Sequence, residues 1–172
     1  MGSQQTSCFS EDDLAFMSLA LEQAKRSELL GEVPVGAVLV VADQAVSFAH
    51  NQPIGLSDPS AHAEMLCVRH FCSRIQNYRL PPDSKLYVTL EPCAMCLGML
   101  IHARLGRLVY AAKEPRAGAI VSAQQYDELT HFNHRIDVAG GLLAEQSADL
   151  LKSFFKNRRT KTNSAAKVLG LD

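Results

Sequence analysis

Pro59-Ser60-Ala61-His62-Ala63-Glu64 and Thr89-Leu90-Glu91-Pro92-Cys93-Ala94-Met95-Cys96 are the two runs on which the reading of this chain turns. They supply an imidazole, a carboxylate two residues further on, and two thiols spaced i and i+3, which is what a hydrolytic zinc centre requires. Structural zinc sites are closed by four protein ligands, whereas catalytic sites hold three and leave the fourth position to water. His62, Cys93 and Cys96 make three. At 1.5 Å per residue, His70 would lie about 12 Å along any helix shared with His62, and His102 about 9 Å beyond Cys96. A zinc–nitrogen bond is only about 2 Å, so neither can share an ion with the ligand on its own helix. Glu64 is left free to act as an acid and base.

The geometry works if each helix begins at its ligand. Cys93 and Cys96 then share one helical face, with Pro92 a fitting residue for the entrance. His62 and Glu64 would diverge by about 200° in mid-helix, so they converge only if His62 sits at the helix mouth. Asp58-Pro59-Ser60 is a good start signal for that. Two helix N-termini would aim their positive ends at the metal, favouring thiolates. A lone Cys-x-x-Cys equally marks a redox pair or half of a zinc ribbon, and a lone His-Ala-Glu carries almost nothing. Joined, and separated by a length that fits a helix, a loop and a strand, they match the His-x-Glu and Pro-Cys-x-x-Cys signature of zinc nucleobase deaminases.

At 172 residues, 47% hydrophobic, with a net charge of −1, residues 1–172 read as one domain with a single sizeable core. About residues 1–9 form an N-terminal tail and about 160–172 a basic end whose order the sequence does not specify. No apolar run approaches a membrane span of about eighteen residues, and the N-terminus lacks signal-peptide shape, so a cytoplasmic location is the default. Five cysteines suit that compartment: Cys67 and Cys72, on or near an apolar helix face, read as small core residues. The near-zero net charge argues against nucleic-acid binding over the whole surface. From Lys152 to Lys167, however, the chain carries Lys152, Lys156, Arg158, Arg159, Lys161 and Lys167 with no acid. Such a face is usually only solvated; beside a base-modifying site it becomes a phosphate contact.

Along the chain, Ser10-Glu11-Asp12-Asp13 reads as a capping box opening a helix to about Leu30, with Phe16/Met17, Ala20, Leu21 and Ala24 as its apolar stripe. The β-branched run Val35 to Val41 is a strand buried on both faces. Asp43-Gln44 turns it back through a second strand, Ala45 to Ala49. A loop from His50 to Pro59 leads to a helix over about Ala61–Cys72. Leu86 to Thr89 is a third strand, Cys93 to Ala103 the thiol-bearing helix, and Arg107 to Ala111 a fourth strand. A short helix near Ala123–Leu129, a weaker strand at Arg135–Val138 and a final helix from about Leu142 follow. The final helix is expected to bury Leu143, Leu150, Leu151 and Phe154 or Phe155. The alternation implies an α/β, three-layer α/β/α sandwich with a mostly parallel sheet begun by a hairpin, and sites at the carboxyl ends of its strands.

At these residues the chain resembles the bacterial tRNA adenosine deaminases of the cytidine-deaminase-like superfamily, which convert the wobble adenosine of an anticodon to inosine. The resemblance runs from Ser10 to Arg159. It is carried by Glu32 to Val40, His50-Asn51-Gln52-Pro53-Ile54-Gly55, Asp58 to Glu64, Gln76-Asn77-Tyr78-Arg79-Leu80, Leu86 to Cys96 and Asn133-His134-Arg135. The zinc motifs fit any cytidine-deaminase-like enzyme; Gln-Asn-Tyr-Arg-Leu and the Asn-x-Pro-Ile-Gly loop narrow it to this branch. The resemblance implies a five-stranded mixed sheet with its last two strands parallel and one Zn2+ per subunit on His62, Cys93 and Cys96. It implies Glu64 as the catalytic residue and a homodimer acting on the anticodon stem-loop of a tRNA. Asn51 would contact the target nucleoside, Val35, Ala63 and Leu90 would line the base pocket, and the main chain of Ala63 would orient the base. Glu114 would touch the RNA near the target and Arg158 and Arg159 the anticodon arm. Glu114 stands where the family usually has Asp, and Val121 where Gly is common, so this loop departs from the family's pattern where the zinc motifs do not.

Two other readings share the motifs. A free-base or nucleoside deaminase acting on guanine or cytosine has no need of a basic final helix. A non-catalytic, zinc-braced RNA-binding module has no need of Glu64 or an open fourth position. Riboflavin-pathway deaminases space their cysteines further apart than Cys93 and Cys96.

Overall fold

In a computed structural model describing residues 9–126 and 129–168, with side chains as far as residue 160, the first helix opens through the expected capping box. Ser10 Oγ accepts from the Asp13 amide and Asp13 Oδ2 accepts from the Ser10 amide, both at 3.0 Å. Helix α1 (Glu11–Leu29) then buries Met17, Ala20, Leu21 and Ala24. It lies so close to β1 (Gly36–Val41) that a Cβ on Gly36 would stand 2.1 Å from the Ala20 carbonyl oxygen, so only glycine fits there. β2 (Gln44–His50) returns antiparallel. The turn is Ala42-Asp43, one residue earlier than expected, with φ of 48° and 55°. Both residues need the left-handed conformation of a two-residue hairpin whose twist matches its strands.

The remaining elements are α2 (Ala63–Ile75), β3 (Lys85–Leu90), α3 (Ala94–His102), β4 (Arg107–Ala112), β5 (Asp137–Gly140) and α4 (Ala144–Val168). The five strands form one sheet in the order β2-β1-β3-β4-β5. Pairings β1–β2 and β1–β3 are antiparallel, β3–β4 and β4–β5 parallel. The sheet is therefore mixed, not mostly parallel. β2 and β3 do run the same way on either side of α2, as alternation predicts, but β1 lies between them.

Side chains alternate across the strands. Ala37, Leu39, Leu86, Val88, Leu108 and Tyr110 face α2 and α3; Val38, Val40, Tyr87, Val109 and Ala111 face the Met17 side of α1. Both faces are apolar, which is why these strands read as continuous hydrophobic runs. At the end of the chain the sequence reading needs correction. β5 starts at Asp137, where parallel pairing with Arg107 begins, rather than at Arg135. The expected helix over 123–129 lies partly on residues outside the described ones; residues 123 and 124 form a bend, and Tyr126 alone of the described residues there has 3-10 helical conformation. α4 begins at Ala144; Leu143, Leu150 and Leu151 are half-buried, Phe154 is buried and Phe155 is 42% exposed.

The α1 face holds a polar group with a pH consequence. Asp13, nearly buried, accepts from Tyr87 Oη at 2.6 Å and lies 3.5 Å from Arg107 Nη1. Burial would raise its pKa, but Tyr87, the Ser10 amide and Arg107 outweigh it and hold the carboxyl below its ordinary range. A carboxylate with a depressed folded pKa stabilises the fold above its ordinary pKa of about 3.9 and loses that contribution as pH falls through the folded value. Asp13→Asn should therefore cost about 1–3 kcal/mol at neutral pH. It should also flatten the acid limb of stability, measured by denaturant unfolding across pH.

Candidate active site

The carboxyl ends of β2, β3 and β4 and the start of β1 meet at one edge of the sheet, as the registers Gly36–His50, Ala37–Val88 and Leu90–Ala112 require. The chain leaves β2 through a loop that ends in α2, and leaves β3 through Glu91-Pro92 into α3. His62 is the N-cap of α2 and Cys93 the N-cap of α3; neither side chain makes a capping hydrogen bond. Both helix mouths thus turn toward one point with their ligand side chains uncommitted to the backbone.

There the two runs of the sequence converge. Cys96 Sγ lies 3.5 Å and Cys93 Sγ 3.8 Å from His62 Nδ1, and the three donor atoms all lie within 4.8 Å of one another. Bonds of about 2.3 Å to sulfur and about 2.0 Å to nitrogen, meeting at a tetrahedral angle, would put those atoms about 3.5 Å apart. The donor set and its spacing therefore fit zinc. Among the described residues no fourth His, Cys, Asp or Glu joins the group. His70 and His102 are exposed, away from it. The Cys96 thiol donates toward Cys93 and, with help from His62, holds the Cys93 thiol down to about 3 against the effect of burial. The same donation, with burial, pushes Cys96 up, and Cys93 raises His62. The pair thus shares a proton that a divalent cation would displace.

Glu64, 4% exposed, stands in the first turn of α2 beside this group. Burial pushes its carboxyl up, its own main chain and His62 oppose that, and Cys93 adds to it. It faces a cavity of about 250 Å³ bordered by Val33 and Val35 before β1, Asn51 and Pro53 after β2, and Leu90 at the end of β3. Glu114 and Ala117, after β4, complete the rim. A buried carboxylate, a three-donor metal group and an apolar slot opening to solvent form an arrangement for acid–base hydrolysis of a flat ring.

A family model of the cytidine and deoxycytidylate deaminase zinc-binding region matches residues 10–112. A tRNA-specific adenosine deaminase of Haemophilus influenzae is 46% identical over 151 residues, 87% of each chain. One of Bacillus subtilis is 37% identical over 159 residues, 92% of this chain and 98% of the other. The chain belongs to the tRNA-specific adenosine deaminases. A solved structure from studies of A-to-I editing by tRNA:A34 deaminases superposes with a TM-score of 0.77 at 39% identity, covering 80% of this chain and 99% of that one. A guanine deaminase of Nitrosomonas europaea shares the fold, with a TM-score of 0.71 at 22% identity.

For this deaminase, the residues named from sequence divide into three groups. Val35, Asn51, Leu90 and Glu114 border the cavity. Ala63 is fully buried, and its amide, expected to face the base, donates to Asn51 Oδ1 at 2.9 Å. Arg159 shares a groove with Glu114, Arg116 and Phe155, whereas Arg158 lies in a different one with Glu28 and Phe154, toward α1. The resemblance leads both arginines to be expected on the anticodon arm; adjacent residues on a helix point about 100° apart, and α4 turns the two toward different grooves. Two buried carboxylates were missed. Glu32 Oε1 accepts from the Gly55 amide at 2.7 Å and ties down the loop after β2. Glu91, 2% exposed, is wrapped by the loop after β4. Burial would raise its pKa, yet Ser122 and the surrounding amides hold it below its ordinary range. No helix among the described residues is long and apolar enough to cross a membrane.

Proposed function

We infer that this chain hydrolytically deaminates the wobble adenosine, position 34, of a tRNA anticodon to inosine, releasing ammonia. The carrying observation is Glu64, buried beside a three-donor group at the base of an open cavity. His62 Nδ1, Cys93 Sγ and Cys96 Sγ would hold the zinc. When bound, zinc supplies a Lewis-acid centre that brings water toward ionisation near neutral pH. Glu64 takes a proton from the water attacking C6 and delivers it to the neighbouring ring nitrogen. It then delivers the remaining water proton to the amino group as the C6–N bond breaks, leaving a C6 carbonyl and ammonia. Asn51, with its oxygen held by Ala63, presents its amide nitrogen to the nucleoside, while Val35 and Leu90 sandwich the base. An anticodon-loop adenosine is already unpaired, so extruding it costs less than opening a duplex.

The groove of Arg159, Arg116 and Lys152 beside Glu114 supports an RNA substrate over a free base. Incubation with tRNA should yield inosine at the wobble position and no ammonia from free guanine, cytosine or cytidine; the reverse result overturns the reading. Removing the chain after Lys156 should weaken tRNA binding severalfold and make its salt dependence shallower. Arg159→Ala should reproduce more of that change than Arg158→Ala. Unchanged affinity on truncation would mean that the helix end is only solvated. A cytoplasmic location and a homodimer belong to the same reading. The dimer is supported by α3, which has no charged residue from Ala94 to Ile101 and leaves Met95 39% exposed. Sedimentation of a monomer at micromolar concentration would exclude it.

A further inference from the structure

The loop after β4 has no regular structure, yet it is held by one side chain. Glu91 Oε2 accepts from the Glu114 amide at 3.0 Å and from Ser122 Oγ. Its Oε1 accepts from the amides of Ile120, Val121 and Ser122 at 3.0, 2.8 and 3.1 Å. Five donors from one loop therefore converge on a single carboxylate that is 2% exposed. The loop closes over it: the Gly118 amide donates to the Glu114 carbonyl at 2.9 Å and the Ala119 amide to the Pro92 carbonyl at 2.8 Å. A Cβ on Gly118 would stand 2.5 Å from the Glu91 carboxyl carbon, so a larger residue is excluded by that approach. Glu114 and Ala117 of this loop face the cavity, while Glu114, Pro115 and Arg116 face the groove of Arg159.

We propose that Glu91 is a positioning residue for substrate, holding the loop of residues 113–122 as the wall shared by the base cavity and the basic groove. The proposal rests on the tRNA deaminase reading and extends it. It assigns recognition of the strand flanking the target nucleoside to a carboxylate that does not itself touch that strand. Convergent amides need an anionic acceptor to stay together, and charge-assisted bonds of this kind are stronger than neutral ones. A glutamine keeps the size but offers one acceptor oxygen, and its NH2 group would oppose the N–H groups on the other side. The loop would then relax, with Glu114 and Arg116 leaving their places on the RNA path while the metal group stays on α2 and α3.

The test compares zinc-loaded wild type, Glu91→Gln and Ser122→Ala with a full-length tRNA substrate. Zinc content, equilibrium tRNA binding, and kcat and KM are measured separately. For Glu91→Gln, KM and the tRNA dissociation constant should rise by about tenfold or more, with zinc retained and kcat falling much less than KM rises. Ser122→Ala removes only the hydroxyl donor, keeps all four amides, and should show the same split at about two- to threefold. Unchanged tRNA affinity in both variants, or a fall in kcat and zinc together with KM unaltered, overturns the proposal. If Glu91→Gln does not fold, the Ser122→Ala split alone decides it. Absence of inosine from the wild type would instead overturn the functional reading itself.

Discussion

Glu64→Ala should bind zinc as the wild type does and deaminate tRNA at about a thousandth of its rate or less, the size of a lost general acid–base group. The side chain occupies the second position of α2, beside the metal group, and is 4% exposed. No described ligand atom of the metal group belongs to it, so its removal takes away a proton carrier and leaves the three donors intact. The void left by truncation opens onto the cavity and can admit water, so the fold should tolerate it. Glu64→Gln sharpens the test, because it keeps the shape and the hydrogen-bonding reach but cannot accept a proton. Both variants should retain one zinc per chain by metal analysis and bind tRNA with wild-type affinity. Substantial inosine formation by Glu64→Gln would remove Glu64 from the proton-transfer role, whereas loss of zinc in both would make it part of the metal site.

The parts of this site that could be read in the sequence are those fixed by local geometry. His62 and Cys93 each cap a helix, and a start signal, a ligand and a following helical face occupy adjacent positions, so spacing alone places them. β1 was legible because burial on both faces leaves an unbroken apolar run. The antiparallel β1–β3 pairing was not, because nothing within β1 or β3 says which strand its neighbour is, and α2 passes over β1 to reach β3's side. Glu91 was hidden for a similar reason. Its acceptor role exists only against amides 23 to 31 residues later, in a loop without periodicity, so the residue looks like an ordinary polar position before Pro92. The split between Arg158 and Arg159 was legible in principle, but it required the phase of α4, and Phe154 and Phe155 gave two candidate phases. The buried Phe154 decides between them.

Cys96→Ala should abolish zinc retention and activity together and lower thermal stability, an outcome separable from that of Glu64→Ala by metal content alone. Cys96 is fully buried in the first turn of α3, with its sulfur 3.5 Å from His62 Nδ1. Removing it leaves two donors, too few to hold zinc in a site built for three, so occupancy should fall to about a tenth or less of the wild type after dialysis. The stability loss follows from the helix starts. Neither His62 nor Cys93 makes a capping bond, so a metal held by His62, Cys93 and Cys96 would tie the α2 and α3 mouths to each other, and whatever binds only the folded chain stabilises it. Cys72→Ala is the control: half-buried, with its thiol raised by burial and outside the donor group, it should keep full zinc occupancy. The wild-type site should also answer to pH with a defined sign. Cys93 is held down and Cys96 pushed up, so at least the Cys96 proton remains to be displaced as the cation binds. Zinc affinity should therefore rise with pH and binding should release protons, measurable by titration calorimetry in buffers of different ionisation enthalpy. Affinity independent of pH between about 6 and 8, where such displacement must show, would mean that the two thiols do not both bind as thiolates.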